Sequence, residues 1–324
     1  MAVPGKIKFS KKSSGSRIAA LIILILVLTA ISGYFLFSTS GKHPTPPQKA
    51  ETSHVTPIAP RSTVPPGVVP QPPDATPQPH KKQSSYPPTI VIPDVDTSGA
   101  DVSGSGRLAI IIDDMGNSIS EARTLSSINV PLTFSIIPGQ RAASEVAAYA
   151  AAHRIETMIH VPMQSKGWPA LRLEGNGLLV AMNEDEIQER MSDFVLQFPG
   201  AVGVNNHMGS EFTEHEDKMV SVLQILKKNN LFFIDSVTSS QSVGVHAAQG
   251  LGVRSARRHV FLDNEQNRSY IIGQLNQAVR LAKKNGSAIA ICHPHPATIS
   301  ALAAALPGLA GRGVTLVPAS QMVR

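Results

Sequence analysis

Cysteine and aromatic residues are scarce in this chain of 324 residues. Because it has a single cysteine, Cys292, no disulfide framework can form within the chain. That fits a reducing compartment, or an exported protein that does without disulfides. Aromatic residues make up only 5% of the sequence, which argues mildly against a β-sandwich and for an α/β fold. Hydrophobic residues, at 42%, are sufficient for one large core, and the length alone leaves one or two domains open.

Acidic residues are absent from the first 17 positions, which carry five cationic residues: Lys6, Lys8, Lys11, Lys12 and Arg17. Most of the formal net charge of +6 therefore belongs to this N-terminal tail. The rest of the chain is close to balanced and has no basic stripe of the kind that binds nucleic acid. We therefore expect no nucleic-acid partner.

The basic tail is followed by a run of twenty uncharged residues, at positions 18–37. About 20 apolar residues suffice to cross the bilayer core as a helix. The cations before this run predict an N-terminus in the cytoplasm and a chain that continues on the other side. A cleaved signal peptide is the alternative, but its apolar region is normally shorter and ends in a small-x-small site that is missing here. We favour an uncleaved, single-pass anchor with the lipid bilayer as its partner.

Proline is concentrated in the stretch that follows the anchor. By count, 15 of the 25 prolines lie between residues 41 and 100, with Ser, Thr and Gln between them. Such a composition buries too little apolar surface to fold and favours extended conformers. Residues 38–105 are therefore predicted to be a disordered linker. It would let a folded domain at 106–324 work at some distance from the membrane.

Strand-like apolar runs alternate with amphipathic stretches over residues 106–324. The predicted strands lie at 107–113, 130–137, 156–162, 201–206, 231–235, 259–263, 288–293 and 314–319. Stretches such as 183–198 and 214–229 have apolar residues at helical spacing with charges opposite. This alternation predicts parallel strands covered on both faces by helices. We expect an α/β fold, a distorted (β/α) barrel of about seven to eight strands, or else an open doubly wound sheet.

Polar side chains lie at or just beyond the ends of five predicted strands. They are Asp113, Asp114, His160, Asn206, His207, Asp235, His293 and His295. Because the carboxyl ends of parallel strands share one face of such folds, these side chains are expected to meet there. Structural explanations stay open for each, such as a helix cap at the aspartates or a rigid turn at the His-Pro-His. Cys292 points away from His293 by strand alternation and is interpreted as a small buried hydrophobic residue.

The side chains at these strand ends form a coherent chemical set. A carboxylate and two neutral imidazoles suit a catalytic Zn²⁺ ion that keeps a fourth position for water. Such an ion lowers the pKa of water toward ~7 and polarises a substrate oxygen. A second carboxylate can take the proton from the water, and a histidine opposite can protonate the leaving group. The set is the equipment for hydrolysing an amide or an ester.

The segments IIIDDMG, PLTFSIIPG, ETMIHVPM, GVNNHMGS, FFIDS and CHPHP, in this order, resemble the divergent polysaccharide deacetylases. These are distant relatives of the nodulation-type chitooligosaccharide deacetylases, and the resemblance covers nearly all of residues 106–324. It implies a distorted (β/α) barrel and a divalent metal, usually zinc. It also implies removal of N-acetyl or O-acetyl groups from a glycan, such as a cell-envelope polysaccharide or a peptidoglycan-like glycan. Together with the predicted anchor, it places the domain in the periplasm or exterior, on the inner membrane of a bacterium.

By position, the resemblance implies that Asp113 is the general base, Asp114 and His160 are metal ligands and His293 is the general acid. The family's second metal histidine corresponds to Gln164, and its Arg-x-Pro stretch is missing. We infer that His207 replaces the absent ligand. Candidates for substrate contacts or for support of the ligands are Asn206, Ser210, Asp235, His295 and Trp168. Trp168, the only tryptophan, is equally compatible with stacking on a sugar ring and with packing in a lid.

These residues favour a membrane-tethered, metal-dependent carbohydrate deacetylase that uses a metal-activated water. The alternative is a glycan-binding or envelope-assembly protein on a deacetylase scaffold with little or no catalysis, which the missing family motifs motivate. A phosphoester hydrolase is disfavoured, because the sequence has neither a Gly-rich phosphate loop nor a cluster of Arg or Lys at the strand ends.

Overall fold

The computed structural model describes residues 104–324. The predicted basic tail, the anchor and nearly all of the linker lie outside the described residues. Within residues 104–324, no helix combines the length and the apolar character needed to cross a membrane.

The described part alternates strands and helices, as predicted. The strands are β1 (Gly106–Met115), β2 (Thr133–Ile136), β3 (Glu156–Met163), β4 (Gly203–Met208), β5 (Phe232–Asp235), β6 (Ser255–Arg257), β7 (Val260–Phe261), β8 (Ser287–Cys292) and β9 (Val314–Leu316). The helices are α1 (Ile119–Ser126), α2 (Ala143–Ala152), α3 (Glu184–Gln197), α4 (Glu216–Lys228), α5 (Gly244–Leu251), α6 (Arg268–Asn285) and α7 (Pro296–Ala305). Three-residue β6 is missing from the sequence prediction, because Ser-Ala-Arg has no apolar run to mark it.

All strand pairs are parallel, in the order β6-β5-β4-β3-β2-β1-β8-β7, and β9 pairs with the start of β1. The two outermost strands, β6 and β7, are joined only by Arg258 and His259. The Arg258 N–H donates to the carbonyl of Asp235 beside β6, and the His259 N–H donates to the carbonyl of Ile289 in β8. This connection therefore bonds to the strand next to each margin, and the sheet is curled into a half-barrel whose outermost strands, β6 and β7, do not pair with each other.

Strand alternation divides the core into two layers. In β1, Leu108, Ile110 and Ile112 belong to the large cluster between the sheet and the helices. The alternate residues Ala109 and Ile111 belong to a smaller cluster inside the curled sheet, with side chains such as Met158, Phe232, Ile234, Ile289 and Ile291. The interior is thus filled with apolar groups along most of its length. At the carboxyl ends of the strands, the next inward-facing residues are polar. The candidate site therefore lies directly above this apolar interior.

Gly203 in β4 provides a test of how tightly this interior is packed. A Cβ atom at Gly203 would lie 2.3–2.6 Å from ring atoms of the fully buried Phe232. We expect Gly203→Ala to lower the free energy of unfolding by about 1–3 kcal/mol, because the ring must shift in a packed core. Gly200→Ala is the matched control, since a Cβ there meets nothing within 4 Å. Urea denaturation measures both, and equal midpoints for the two variants would contradict the packing described.

Candidate active site

Asp113 and Asp114 lie at a β-bulge in β1. The register of β1 against β2 shifts between Ile112 and Met115, and Asp114 has a φ angle of +56° in the left-handed region. In a regular strand, neighbouring side chains point to opposite faces. The bulge redirects the second carboxylate, so that both aspartates face one histidine. Asp113 Oδ2 lies 3.5 Å, and Asp114 Oδ1 3.2 Å, from Nε2 of His160.

His160 in β3 is buried and is oriented by Asn205 of the neighbouring strand β4. The Asn205 amide nitrogen lies 2.8 Å from Asp113 Oδ1 and must be the donor there, because a carboxylate can only accept. The side-chain oxygen of Asn205 therefore faces Nδ1 of His160 at 2.8 Å and accepts a hydrogen bond from the Nδ1–H. It also accepts the hydroxyl hydrogen bond of Ser135. This arrangement leaves Nε2 of His160 directed at the aspartates.

His207 lies two residues after Asn205 in β4 and points to the same side of the sheet. Its Nδ1 lies 2.8 Å from Asp114 Oδ1 and 3.3 Å from Nε2 of His160. Together with the 3.2 Å from Nε2 of His160 to Asp114 Oδ1, these distances define a triangle of one carboxylate oxygen and two imidazole nitrogens. The side chains of Asp114 and His207 are 22% and 15% exposed, so the triangle lies at the open end of the buried site.

The triangle fits a divalent metal. Zinc binds nitrogen and carboxylate ligands at about 2.0–2.2 Å, which sets the edges of its coordination tetrahedron at about 3.3–3.5 Å. Two observed edges, 3.2 Å and 3.3 Å, are close to that range, and the third, 2.8 Å between His207 Nδ1 and Asp114 Oδ1, is shorter and at hydrogen-bond distance. Asp114 Oδ1 is buried, and the ring nitrogens of His160 and His207 that contact it are themselves metal-binding atoms. Asp114, His160 and His207 are therefore the residues that would hold the ion.

His293 lies at the end of β8 on the other side of Asp114, with its Nε2 3.9 Å from Asp114 Oδ2. Asp263, just after β7, accepts hydrogen bonds from the His293 backbone N–H at 2.8 Å and from its Nδ1 at 3.1 Å. The hydroxyl of Thr298 donates to the same carboxylate at 2.8 Å. Asp263 thus fixes the ring of His293 so that Nε2 faces the site.

The electrostatics separate the roles of the two adjacent aspartates. Burial raises the pKa of Asp113, and the charges of His160 and His293 offset this only in part. Burial would also raise the pKa of Asp114, but the charges of His207 and His293 and the hydrogen bonds from His160 and His207 hold it well below its usual range. Asp114 therefore stays ionised, as a metal ligand must, while Asp113 is the carboxylate with the greater affinity for a proton.

The histidines are shifted the other way. Burial lowers the pKa of His293, but the charge of Asp114 and the hydrogen bond and charge of Asp263 outweigh it and raise the pKa to about 9. Burial likewise opposes protonation of His207, yet the charge and hydrogen bond of Asp114 and the charge of Glu174 raise its pKa. In the metal-free chain at neutral pH, His293 is thus protonated and can donate from Nε2.

Two predicted site residues lie on the helix-facing side of their strands. The Asn206 carbonyl oxygen accepts from the Ser236 N–H at 2.9 Å. Asp235 accepts from the N–H of Val237 at 2.8 Å and from the hydroxyl of Ser242 at 2.7 Å. Val237 has a φ angle of +52°, which a β-branched residue adopts only under constraint. Asn206 and Asp235 therefore shape the backbone after β5 and do not face the metal triangle.

The remaining candidates from the sequence are Ser210, Trp168 and His295. The Ser210 hydroxyl accepts from the N–H of Lys166 and so ties the loop after β3 to the loop after β4. Trp168 lies in that first loop and is 41% exposed. The ring of His295 lies 5.7 Å from that of His293, and its Nε2 is buried with no hydrogen-bond partner among the described groups. Cys292 is buried in the outer core, where burial holds the pKa of its thiol well above the usual value.

Three residues that position the site are absent from the sequence prediction. Asn205 shares the face of His207 by alternation, and Asp263 ends the apolar run predicted at 259–263, so both were within reach of strand-end reasoning. Arg258 carried no such signal. It donates to the carbonyls of Ser236 at 2.7 Å and Val237 at 2.9 Å, and so holds the strained backbone after β5.

The sequence of the described part matches a known protein family. The family model for divergent polysaccharide deacetylases matches residues 110–323, which is nearly the whole of the described part. The chain belongs to the divergent polysaccharide deacetylase family. The chain is 40% identical over 219 residues to the uncharacterised protein YibQ of Escherichia coli, covering 68% of each chain. It is 36% identical over 203 residues to an uncharacterised protein of Haemophilus influenzae, covering 63% of this chain and 72% of the relative.

Solved structures share the fold of this deacetylase-family chain. An uncharacterised protein from Agrobacterium tumefaciens aligns with a TM-score of 0.64 and 22% identity, over 68% of this chain and 90% of its own. A putative cellobiose-phosphate cleavage protein from Enterococcus faecalis aligns with a TM-score of 0.51 and 13% identity, over 68% of this chain and 100% of its own. At these identities the likeness concerns the fold alone.

Proposed function

We propose that this chain is a metal-dependent carbohydrate deacetylase that hydrolyses N- or O-acetyl groups on a cell-envelope glycan. One observation carries the proposal. The donor atoms of Asp114, His160 and His207 form a metal-sized triangle, and Asp113 and His293 flank it. Membership of the divergent polysaccharide deacetylase family supports the choice of an acetylated sugar as substrate.

Asp114, His160 and His207 would hold the ion, for which zinc is the best match to two imidazoles and a carboxylate. A bound ion of this kind supplies a more acidic water and a positive charge for the acetyl oxygen. Asp113 is placed to accept the proton of the attacking water, because Asn205 fixes one of its oxygens and leaves the other facing the triangle. The water oxygen then bonds to the acetyl carbon.

His293 completes the reaction on the opposite side. When the bond between the acetyl carbon and the sugar nitrogen or oxygen breaks, Nε2 of His293 gives its proton to the departing atom. Acetate and a free amine or hydroxyl are the products. Asp263 stabilises the protonated imidazole before the transfer and keeps Nε2 directed at the site. Asp113, His293 and Asp263 are buried, which limits the access of bulk water to the proton transfers.

Acetate release tests the proposal. The full chain is stripped with a chelator, reloaded with zinc and incubated with acetylated chitooligosaccharides, peptidoglycan and small acetyl esters. We expect acetate to appear only in the reloaded sample. A folded, zinc-loaded chain that binds these glycans without releasing acetate would favour the glycan-binding alternative instead.

We further propose that residues 18–37 anchor the chain in the bacterial inner membrane, with residues 38–105 as an extended tether. The supporting observations are the uncharged run, the five cations before it and the proline-rich composition after it. The domain would then reach glycan outside the membrane. Protease treatment of spheroplasts tests this, because the domain should be degraded while the membrane is intact. Protection of the domain would place it in the cytoplasm and contradict the proposal.

Asp263→Asn should shift the pH dependence of the reaction. The carboxylate of Asp263 raises the pKa of His293, so its loss lowers that pKa. His293 acts in its protonated form, and the alkaline limb of the kcat profile should therefore move to lower pH, by about 1–3 units. Glu265→Gln, which removes an exposed charge nearby, is the control and should leave the limb in place. An unmoved limb in Asp263→Asn would rule out His293 as the group that titrates there.

A further inference from the structure

The loop between β3 and α3 is closed at its base by Gln164. The backbone N–H of Gln164 donates to the carbonyl of Leu178 at 2.9 Å, and its side-chain oxygen accepts from the N–H of Val180 at 2.9 Å. Gln164 stands where the family resemblance places a metal histidine. Its side chain is thus engaged in closing the loop rather than facing the metal triangle.

This loop brings Glu174 to the face of His207 that is turned away from the triangle. Glu174 Oε2 lies 3.8 Å from Nε2 of His207. The same oxygen is buried and has no hydrogen-bond partner among the described residues. The backbone beside it is held by two further contacts, from Asn176 to the carbonyl of Pro138 at 2.9 Å and from Arg190 to the carbonyl of Gly177 at 2.7 Å.

A neutral histidine binds a metal through one ring nitrogen and carries its proton on the other. In His160 the proton lies on Nδ1, which faces Asn205, and Nε2 faces the triangle. His207 has the reverse orientation, with Nδ1 in the triangle at 2.8 Å from Asp114 Oδ1. When Nδ1 binds the metal, the proton of the neutral ring therefore lies on Nε2, which faces Glu174. A buried carboxylate oxygen without a donor and a ring nitrogen that requires an acceptor are complementary.

We infer that Glu174 is a positioning residue: with the metal bound, its Oε2, here 3.8 Å from Nε2 of His207, moves within hydrogen-bond distance, accepts the Nε2–H and so holds Nδ1 toward the metal. The inference rests on the proposed function, since it concerns the same metal site. It also connects two departures from the family pattern. The residue at the vacated ligand position closes the loop, and that loop supplies the partner of the replacement ligand. Carboxylates that orient metal-binding histidines in this way contribute about 10–100-fold to metal affinity.

The test compares zinc affinities of full-length variants by competition with a chromophoric chelator. Glu174→Met has similar bulk but no acceptor oxygen, and we expect it to weaken zinc binding by about 10–100-fold. Glu174→Gln keeps an acceptor oxygen and should recover most of that loss. Glu211→Met is the matched control, because Glu211 is another acidic residue that contacts His215 and not His207. Melting of the metal-free chains shows whether the loop stays folded, and Glu174→Ala replaces the methionine variant if that one melts early.

Zinc affinity in Glu174→Met equal to that of the wild type would overturn the inference and leave the proposed function standing. If Glu174→Gln bound zinc as weakly as Glu174→Met, with unchanged melting, the hydrogen-bonding role of Glu174 would be overturned. If the wild-type chain itself binds no zinc, the proposed function and the inference both fail. The two failures are therefore distinguishable within one set of measurements.

Discussion

Asp113→Asn should reduce acetate release by about 10²–10⁴-fold while the chain keeps its zinc. Asp113 is buried, one of its oxygens accepts from Asn205 at 2.8 Å, and the other faces the triangle. Asparagine preserves the shape and can still accept from Asn205 through its carbonyl oxygen, but it cannot take a proton from water. The loss should therefore appear in kcat, with the zinc content and the melting temperature close to those of the wild type.

Asp217→Asn is the matched control for that variant. Asp217 lies at the start of α4, is 70% exposed and pairs with Lys218, so the same chemical change there should leave kcat within about twofold, as for surface substitutions generally. Activity of Asp113→Asn near the wild-type level would assign the base to another group. Loss of zinc in Asp113→Asn would place Asp113 among the metal ligands instead.

His207→Ala should weaken zinc binding by at least about 100-fold, because even the groups behind such ligands contribute 10–100-fold. The variant removes one corner of the triangle and leaves Asp114 and His160 as the two remaining ligands. Acetate release at limiting zinc should fall with the affinity. Zinc affinity is measured by chelator competition and activity over a range of free zinc.

His215→Ala controls for the removal of a histidine, since His215 lies outside the triangle and pairs with Glu211. Zinc bound as tightly by His207→Ala as by the wild type would contradict the replacement of the missing family ligand by His207. Gln164→Ala then becomes the informative variant, because it removes the side chain at the family's usual ligand position.

The fold was predictable in outline because the signal for a buried parallel strand is strong. Apolar runs at 107–113, 156–162 and 288–293 coincide closely with β1, β3 and β8. Strands that lack an apolar run, such as β6, could not be predicted in this way. β6 forms because its backbone pairs with β5 and because Ser255 exchanges hydrogen bonds with Arg324 at the C-terminus, and neither contact leaves a local pattern.

Strand-end reasoning predicts that five site residues meet at one end of the sheet: Asp113, Asp114, His160, His207 and His293. It does not predict to which side of a strand each of two neighbouring residues points. Alternation alone would separate Asp113 from Asp114, and only the bulge brings both to His160. The same alternation assigns Asn205 to the site and Asn206 to the helix side, which depends on the register of β4. These assignments become visible only when the strand pairing is known.

The position of Glu174 depends on tertiary contacts that no local pattern records. Glu174 lies ten residues after Gln164, in a loop that is held by hydrogen bonds to Leu178, Val180 and Pro138. A carboxylate in a glycine-containing loop has no periodicity to indicate which strand end it will meet. Only the three-dimensional structure shows which group faces the second ring nitrogen of each histidine.

The zinc content of the purified full-length chain tests the central claim most directly. Elemental mass spectrometry after dialysis would compare it with a variant that carries Asp114→Ala, His160→Ala and His207→Ala together. The account predicts zinc at a one-to-one ratio in the wild-type chain and none in the variant. No zinc in the wild-type chain after zinc is added back, with both proteins folded, would contradict it.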